Sequence, residues 1–162
     1  MRKQQSLIIL VAMLPIFMTL ASAITAQSSE TWFGTWRLNL AKSSYNPRTV
    51  LRSQVLNIEP SAQGGFTVII DSVTSRGERT RSESYVRFDD HDYPVTGAEP
   101  VIMRRYRRVD DRAFEFVSKT DGKVTTSSKV VISGDGRTQT VTTTGRNPRG
   151  IAVNNVAVYD KQ

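Results

Sequence analysis

The chain has 162 residues, with 22 Lys and Arg against 15 Asp and Glu, one histidine and no cysteine. The missing cysteine excludes disulfides, thiolate metal centres and thiol catalysis; a lone histidine, His91, excludes a multi-histidine metal site and counts against a His-dependent triad. The cationic excess favours anionic ligands or surfaces. No DNA- or RNA-binding motif accompanies it and the bases are interleaved with acids, so nucleic acid is not an expected partner.

The first element is an export signal. Arg2 and Lys3 precede an apolar run from Leu7 to Leu20, and Ala21-Ser22-Ala23 supplies an Ala-x-Ala cleavage site. The apolar run is about fourteen residues, short of the roughly twenty that span a bilayer, and Pro15 interrupts it. Residues 1–23 are therefore expected to be removed, with cleavage after Ala26 as the alternative. The remaining roughly 136 residues suffice for one domain with a core of its own. Residues 24–33 form a lead-in and 34–162 the domain. The mature protein is expected to be soluble, without a lipid anchor or membrane span, in the periplasm or outside the cell.

Short alternating segments follow, separated by turn signals every eight to twelve residues or so, the pattern of an antiparallel sandwich or barrel. They run 34–40, 50–59, 66–73, 79–88, 93–95, 101–109, 113–119, 123–133, 138–144 and 151–160, with Asp121-Gly122 as a two-residue hairpin turn. No connection has room for a crossover helix, so parallel pairing is not expected. A meander of about ten strands avoids two exposed edges by closing into a barrel. The fold class is all-β, a single up-and-down antiparallel barrel, and barrels near this size hold one small ligand inside.

Phe33-Gly34-Thr35-Trp36-Arg37-Leu38 resembles the opening of the calycins, the lipocalin and fatty-acid-binding-protein group, whose first strand carries Gly-x-Trp. Val158-Tyr159-Asp160-Lys161 is similar to the closing strand of fatty-acid-binding proteins. Asp92-Tyr93-Pro94-Val95-Thr96-Gly97 and Asp121-Gly122-Lys123-Val124 look like exported bacterial lipocalin-like proteins. The resemblance implies a barrel around a small apolar or amphipathic ligand, with Trp36 plugging one end. Two departures stand out. The segment 41–49 is too short for the helix pair that covers the mouth in fatty-acid-binding proteins, and Asn46-Pro47 interrupts any helix begun there. Ala157 stands where those proteins place the arginine of an Arg-x-Tyr pair, leaving only Tyr159.

The candidate ligand residues lie on two strands. In Met103-Arg104-Arg105-Tyr106-Arg107-Arg108 the arginines alternate two and two. Facing Ile102 and Tyr106 inward buries more apolar surface than facing Met103 inward, which would put Arg104 and Arg108 inside. An inward guanidinium needs a carboxylate or an anionic ligand. The alternative is a strand that overhangs the barrel end or bulges, with all four arginines solvated or paired to acids such as Glu83 and Glu115. On the last strand, Asn155 and Tyr159 share a face with Ile151, Val153 and Ala157; Asn155 is expected to bond a side chain of a neighbouring strand. Phe114, Phe116, Phe66, Val68 and Ile70 are expected to form the wall. His91 sits in a polar turn, where a lone histidine is solvated.

The expected function is binding of a small apolar or amphipathic molecule inside the barrel, with an anionic head as one option left open, through Arg104, Tyr106, Arg108, Asn155 and Tyr159, with no metal or cofactor. Two alternatives remain open. One is an enzyme on the same barrel, with Tyr106 or Tyr159 and an arginine polarising a substrate oxygen. The other is an envelope protein whose packed barrel has no cavity. Oligomeric state is not legible in the sequence.

Overall fold

A computed structural model of the chain describes residues 30–48 and 50–162. The expected signal peptide, both cleavage sites and the start of the lead-in lie outside those residues. Ten antiparallel strands follow one another: β1 (Gly34–Leu38), β2 (Leu51–Pro60), β3 (Phe66–Thr74), β4 (Arg79–Val86), β5 (Asp92–Thr96), β6 (Ile102–Arg108), β7 (Ala113–Thr120), β8 (Lys123–Ile132), β9 (Thr138–Arg146) and β10 (Ala152–Lys161). Each pairs with its neighbour in sequence, and β1 pairs with both β2 and β10, closing the barrel. The register Trp36↔Leu56 and Leu38↔Tyr159 shows how the first strand seals the seam.

Alternation along each strand sets the interior. Leu56 and Ile58 on β2, Phe114 on β7, Val130 and Ile132 on β8, and Ala157 and Tyr159 on β10 are buried together. The thinnest part of the wall is β5, which meets β4 at two register positions, Glu83↔Thr96 and Ser84↔Val95. Gly97, at φ +74°, turns the chain out of β5; a Cβ there would collide with the Arg81 carbonyl oxygen on β4.

Two strands, β1 and β4, stop two residues short of the sequence expectation, for local reasons. β1 stops at Leu38 because Asn39 caps a 3-10 turn over Leu40–Lys42: its Oδ1 accepts from the Lys42 amide, and its Nδ2 donates to Asp160 on β10. Leu40, expected to continue the Trp36 face, is thereby left 40% exposed. Phe88, expected at the end of β4, lies beyond that strand and packs its ring against Trp32, Phe66 and Phe114.

That aromatic cluster closes one end of the barrel. Trp36 is fully buried, as its expected role as a plug requires, and its Nε1 donates to the Trp32 carbonyl at 2.8 Å. Trp32, assigned from sequence to the lead-in, is equally buried, its ring 5.4 Å from Phe114 and 5.8 Å from Phe66. At about 25 cal/mol per Å², the roughly 150–250 Å² that a large aromatic buries is worth about 4–6 kcal/mol. The lead-in is thus part of the core from Trp32 onward. The other end carries the turns β1–β2, β3–β4, β5–β6, β7–β8 and β9–β10. Among the described residues between β1 and β2 the 3-10 turn is the one helical element, so no helix pair covers that mouth.

Candidate functional site

The barrel is not filled by its own side chains. A cavity of about 290 Å³ runs from the aromatic plug toward the mouth, at the lower end of the ~300–1,000 Å³ typical of small-molecule sites. Leu56, Ile58, Val68, Ile70, Phe114 and Phe116 supply apolar wall, and Arg104, Tyr106, Asn155 and Tyr159 all reach it. The cavity counts against a packed barrel. Among the described residues, no aspartate or glutamate lines it.

Arg104 is the charge in this space. Alternation on β6 turns it inward with the buried Tyr106. Its Nη1 donates to Ser84 Oγ on β4 at 3.2 Å, and its guanidinium carbon lies 4.8 Å from the centre of the Phe116 ring. Its Nε is buried without a hydrogen-bond partner, and among the described residues Arg104 forms no ion pair. A guanidinium in such a setting has its desolvation offset only in part, by one hydroxyl and one ring face.

Polar groups from other strands complete the lining. Tyr159 on β10 donates to Gln54 Oε1 at 2.5 Å, and Gln54 Nε2 donates to Ser72 Oγ at 2.8 Å. Burial pushes the Tyr159 phenol above the ordinary tyrosine range; Tyr45 adds to the shift, and the nearby positive charge of Arg104 opposes it. The Tyr159 hydroxyl is therefore a proton-bearing donor at neutral pH. Ser128 and Thr143 share a hydrogen bond at 2.9 Å. Gln139 is 2% exposed and its Oε1 has no partner.

The structure divides the sequence-selected residues. Arg104, Tyr106, Asn155 and Tyr159 are brought together around the cavity. Asn155 Oδ1 accepts from the backbone N–H of Asn46 at 2.9 Å, so its partner is the loop before β2 and not a neighbouring strand's side chain. Arg108 does not join them. It sits at the last position of β6, where the barrel is already plugged, and its guanidinium turns over the Trp32 ring at 5.1 Å and onto Glu30 at 3.0 and 2.7 Å. Arg105 and Arg107 point outward onto Asp92 and Glu115 at 2.9 and 2.6 Å. His91 lies in an exposed turn.

Sequence reasoning passed over Gln54 and Gln139. The signal for Gln139 was present: Thr138, Thr140, Thr142 and Thr144 alternate along β9, which leaves Gln139, Val141 and Thr143 on the other face, the one lining the cavity. A second depression, of about 440 Å³, lies on the outer wall, but its arginines, Arg105 and Arg107, are already paired. Among the described residues no three of His, Cys, Asp and Glu gather as metal ligands, and no helix is long and apolar enough to cross a membrane.

No protein-family model matches the sequence and no curated protein sequence matches it. Solved structures do. The wild-type fluorescent protein UnaG, a barrel of the fatty-acid-binding-protein group, superposes with a TM-score of 0.53 at 18% identity, over 82% of this chain and 98% of that one. The chain shares the closed ten-stranded antiparallel barrel fold of that protein. Two single-residue variants of UnaG agree, with TM-scores of 0.53 and 0.50 at 18% and 17% identity, each over 82% of this chain. At such identities the likeness concerns the fold. In this barrel the cavity is lined by Ala157 on β10 and by the guanidinium of Arg104 on β6.

Proposed function

We propose that the barrel binds a small amphipathic molecule, its apolar body against Phe114, Phe116 and the aliphatic wall and its anionic group against Arg104. One observation carries this reading: a guanidinium opens into an apolar cavity that no described carboxylate lines. Charge-assisted hydrogen bonds from such a group to a carboxylate, sulfate or phosphate ester are about twice as strong as neutral ones. The Tyr159 hydroxyl and the Gln139 amide offer further polar contacts. Binding needs no chemistry from the protein, and a buried, proton-holding tyrosine favours recognition over proton abstraction.

The export signal completes the proposal: a carrier released into the periplasm or beyond, its mature chain starting at Ile24 or Gln27. N-terminal sequencing of the protein from its host decides this; a retained Met1 refutes export. Native mass spectrometry of the same sample tests the ligand. An anionic small molecule released on denaturation supports the proposal, and a cationic or strictly apolar one overturns the role of Arg104.

A further inference from the structure

The two ends of the barrel carry opposite charge, and the mouth also carries the four most exposed aliphatic side chains among the described residues. Arg48 lies in the β1–β2 connection and Arg52 at the start of β2, Arg76 and Arg79 around the β3–β4 turn, Lys123 at the start of β8, and Arg146 and Arg149 around the β9–β10 turn. Against these seven cations the mouth segments 45–52, 74–79, 96–102, 120–124 and 146–151 hold three acids, Glu78, Glu99 and Asp121. None of the seven forms an ion pair among the described residues. At the plugged end the balance reverses, with eight acids to five bases over 30–34, 59–66, 86–91, 108–113, 132–138 and 160–162.

Val50, Val101 and Ile151 immediately precede β2, β6 and β10, and Val124 is the second residue of β8, so all four stand at the mouth. They are 64%, 67%, 48% and 58% exposed. Val50, Arg76 and Arg149 line a single depression of about 460 Å³, which Glu78 shares. Aliphatic tips on four separate turns, interspersed with unpaired cations, surround the entrance of an apolar cavity.

We propose that this rim docks the barrel, mouth down, on an anionic lipid surface. Each arginine near such a surface strengthens partitioning about fivefold, and the valine and isoleucine tips add burial in the interfacial zone. Dispersed tips suit a fluid bilayer, which fills the gaps between them; a stable protein partner would need a continuous complementary face of ~1,000 Å² or more. The rim offers no exposed aromatic on which single-stranded bases could stack. The orientation places the cavity entrance against the lipid, so that an amphipathic ligand can cross without entering bulk water. The inference stands whether or not Arg104 holds an anion.

Co-sedimentation with phosphatidylcholine vesicles, with and without one third phosphatidylglycerol, tests it. Binding is expected only with phosphatidylglycerol, and to weaken as salt rises. Arg76→Glu/Arg149→Glu is expected to lower the partition coefficient at least about tenfold, and Val101→Ser/Val124→Ser several-fold. Arg37→Glu/Lys129→Glu, an equal charge change on the outer wall, is expected to leave it within about twofold. Circular dichroism confirms that each variant is folded. Absence of binding, equal binding to neutral vesicles, or equal loss in the wall variant overturns the proposal. Retention of heparin but not vesicles through Arg76 and Arg149 would assign the rim to a soluble polyanion and overturn it too.

Discussion

Arg104 on β6 reaches past the short strand β5 to donate to Ser84 Oγ on β4 at 3.2 Å, across the part of the wall where β4 and β5 share two register positions. The bond fixes the guanidinium at the edge of an apolar space while leaving its charge unneutralised. Stability and binding therefore pull in opposite directions at this residue.

Arg104→Met separates the two. Replacing a half-buried, incompletely paired charge by an apolar side chain of similar length is neutral or stabilising, so the thermal midpoint should stay level or rise. Displacement of a fluorescent anionic amphiphile should weaken at least about tenfold, the loss expected for a charged hydrogen bond. A neutral amphiphile of the same chain length should bind the variant as well as the parent.

The plugged end depends on packing more than on its ion pair. Trp32→Ala should cost about 3–5 kcal/mol in urea unfolding, because a fully buried ring against Phe66 and Phe114 leaves a cavity. Glu30→Gln should cost no more than about 1 kcal/mol, since the Arg108–Glu30 pair is partly solvated. Equal costs would contradict this division.

Much of the fold was legible. Alternation and turn residues located all ten strands; the burial of Ile102 and Tyr106 picked the inward face of β6, and the likeness to calycins that of β10. Trp32 was hidden because it precedes the first strand and belongs to no periodic segment; its burial comes from a turn in which the Phe33 amide bonds the Glu30 carbonyl. Arg108 shares the parity of Arg104, but alternation says nothing about height along the barrel, and at its height the space is taken by Trp32 and Phe88. The absence of a carboxylate near Arg104 is a fact about the opposite walls, which spacing along one strand cannot report.

Tyr159 predicts an alkaline limb. Burial raises its folded-state pKa above the unfolded value near ~10, so its contribution is complete below that value and is lost as pH rises toward the folded one. Tyr159→Phe should flatten the fall in urea stability above pH ~10. At neutral pH the variant should lose about 1 kcal/mol, because Gln54 Oε1 is left without its donor.

Asp92 predicts an acid limb. The hydrogen bond from Lys119, then that from Arg105, holds its carboxyl below the usual carboxylate range. Its contribution is complete above the unfolded pKa near ~4 and is lost as pH falls through the folded value. Asp92→Asn should flatten that part of the stability–pH curve, measured by urea melts at matched ionic strength.

The side-chain ¹⁵N–¹H resonance of Arg104 Nε, assigned by its disappearance in Arg104→Met, tests the central claim most directly. Titration with decanoate should shift this resonance progressively to saturation, while decanol should fill the apolar wall and move it far less. An Arg104 resonance that stays still while decanoate binds, or that responds equally to decanol, would contradict an anion site at Arg104.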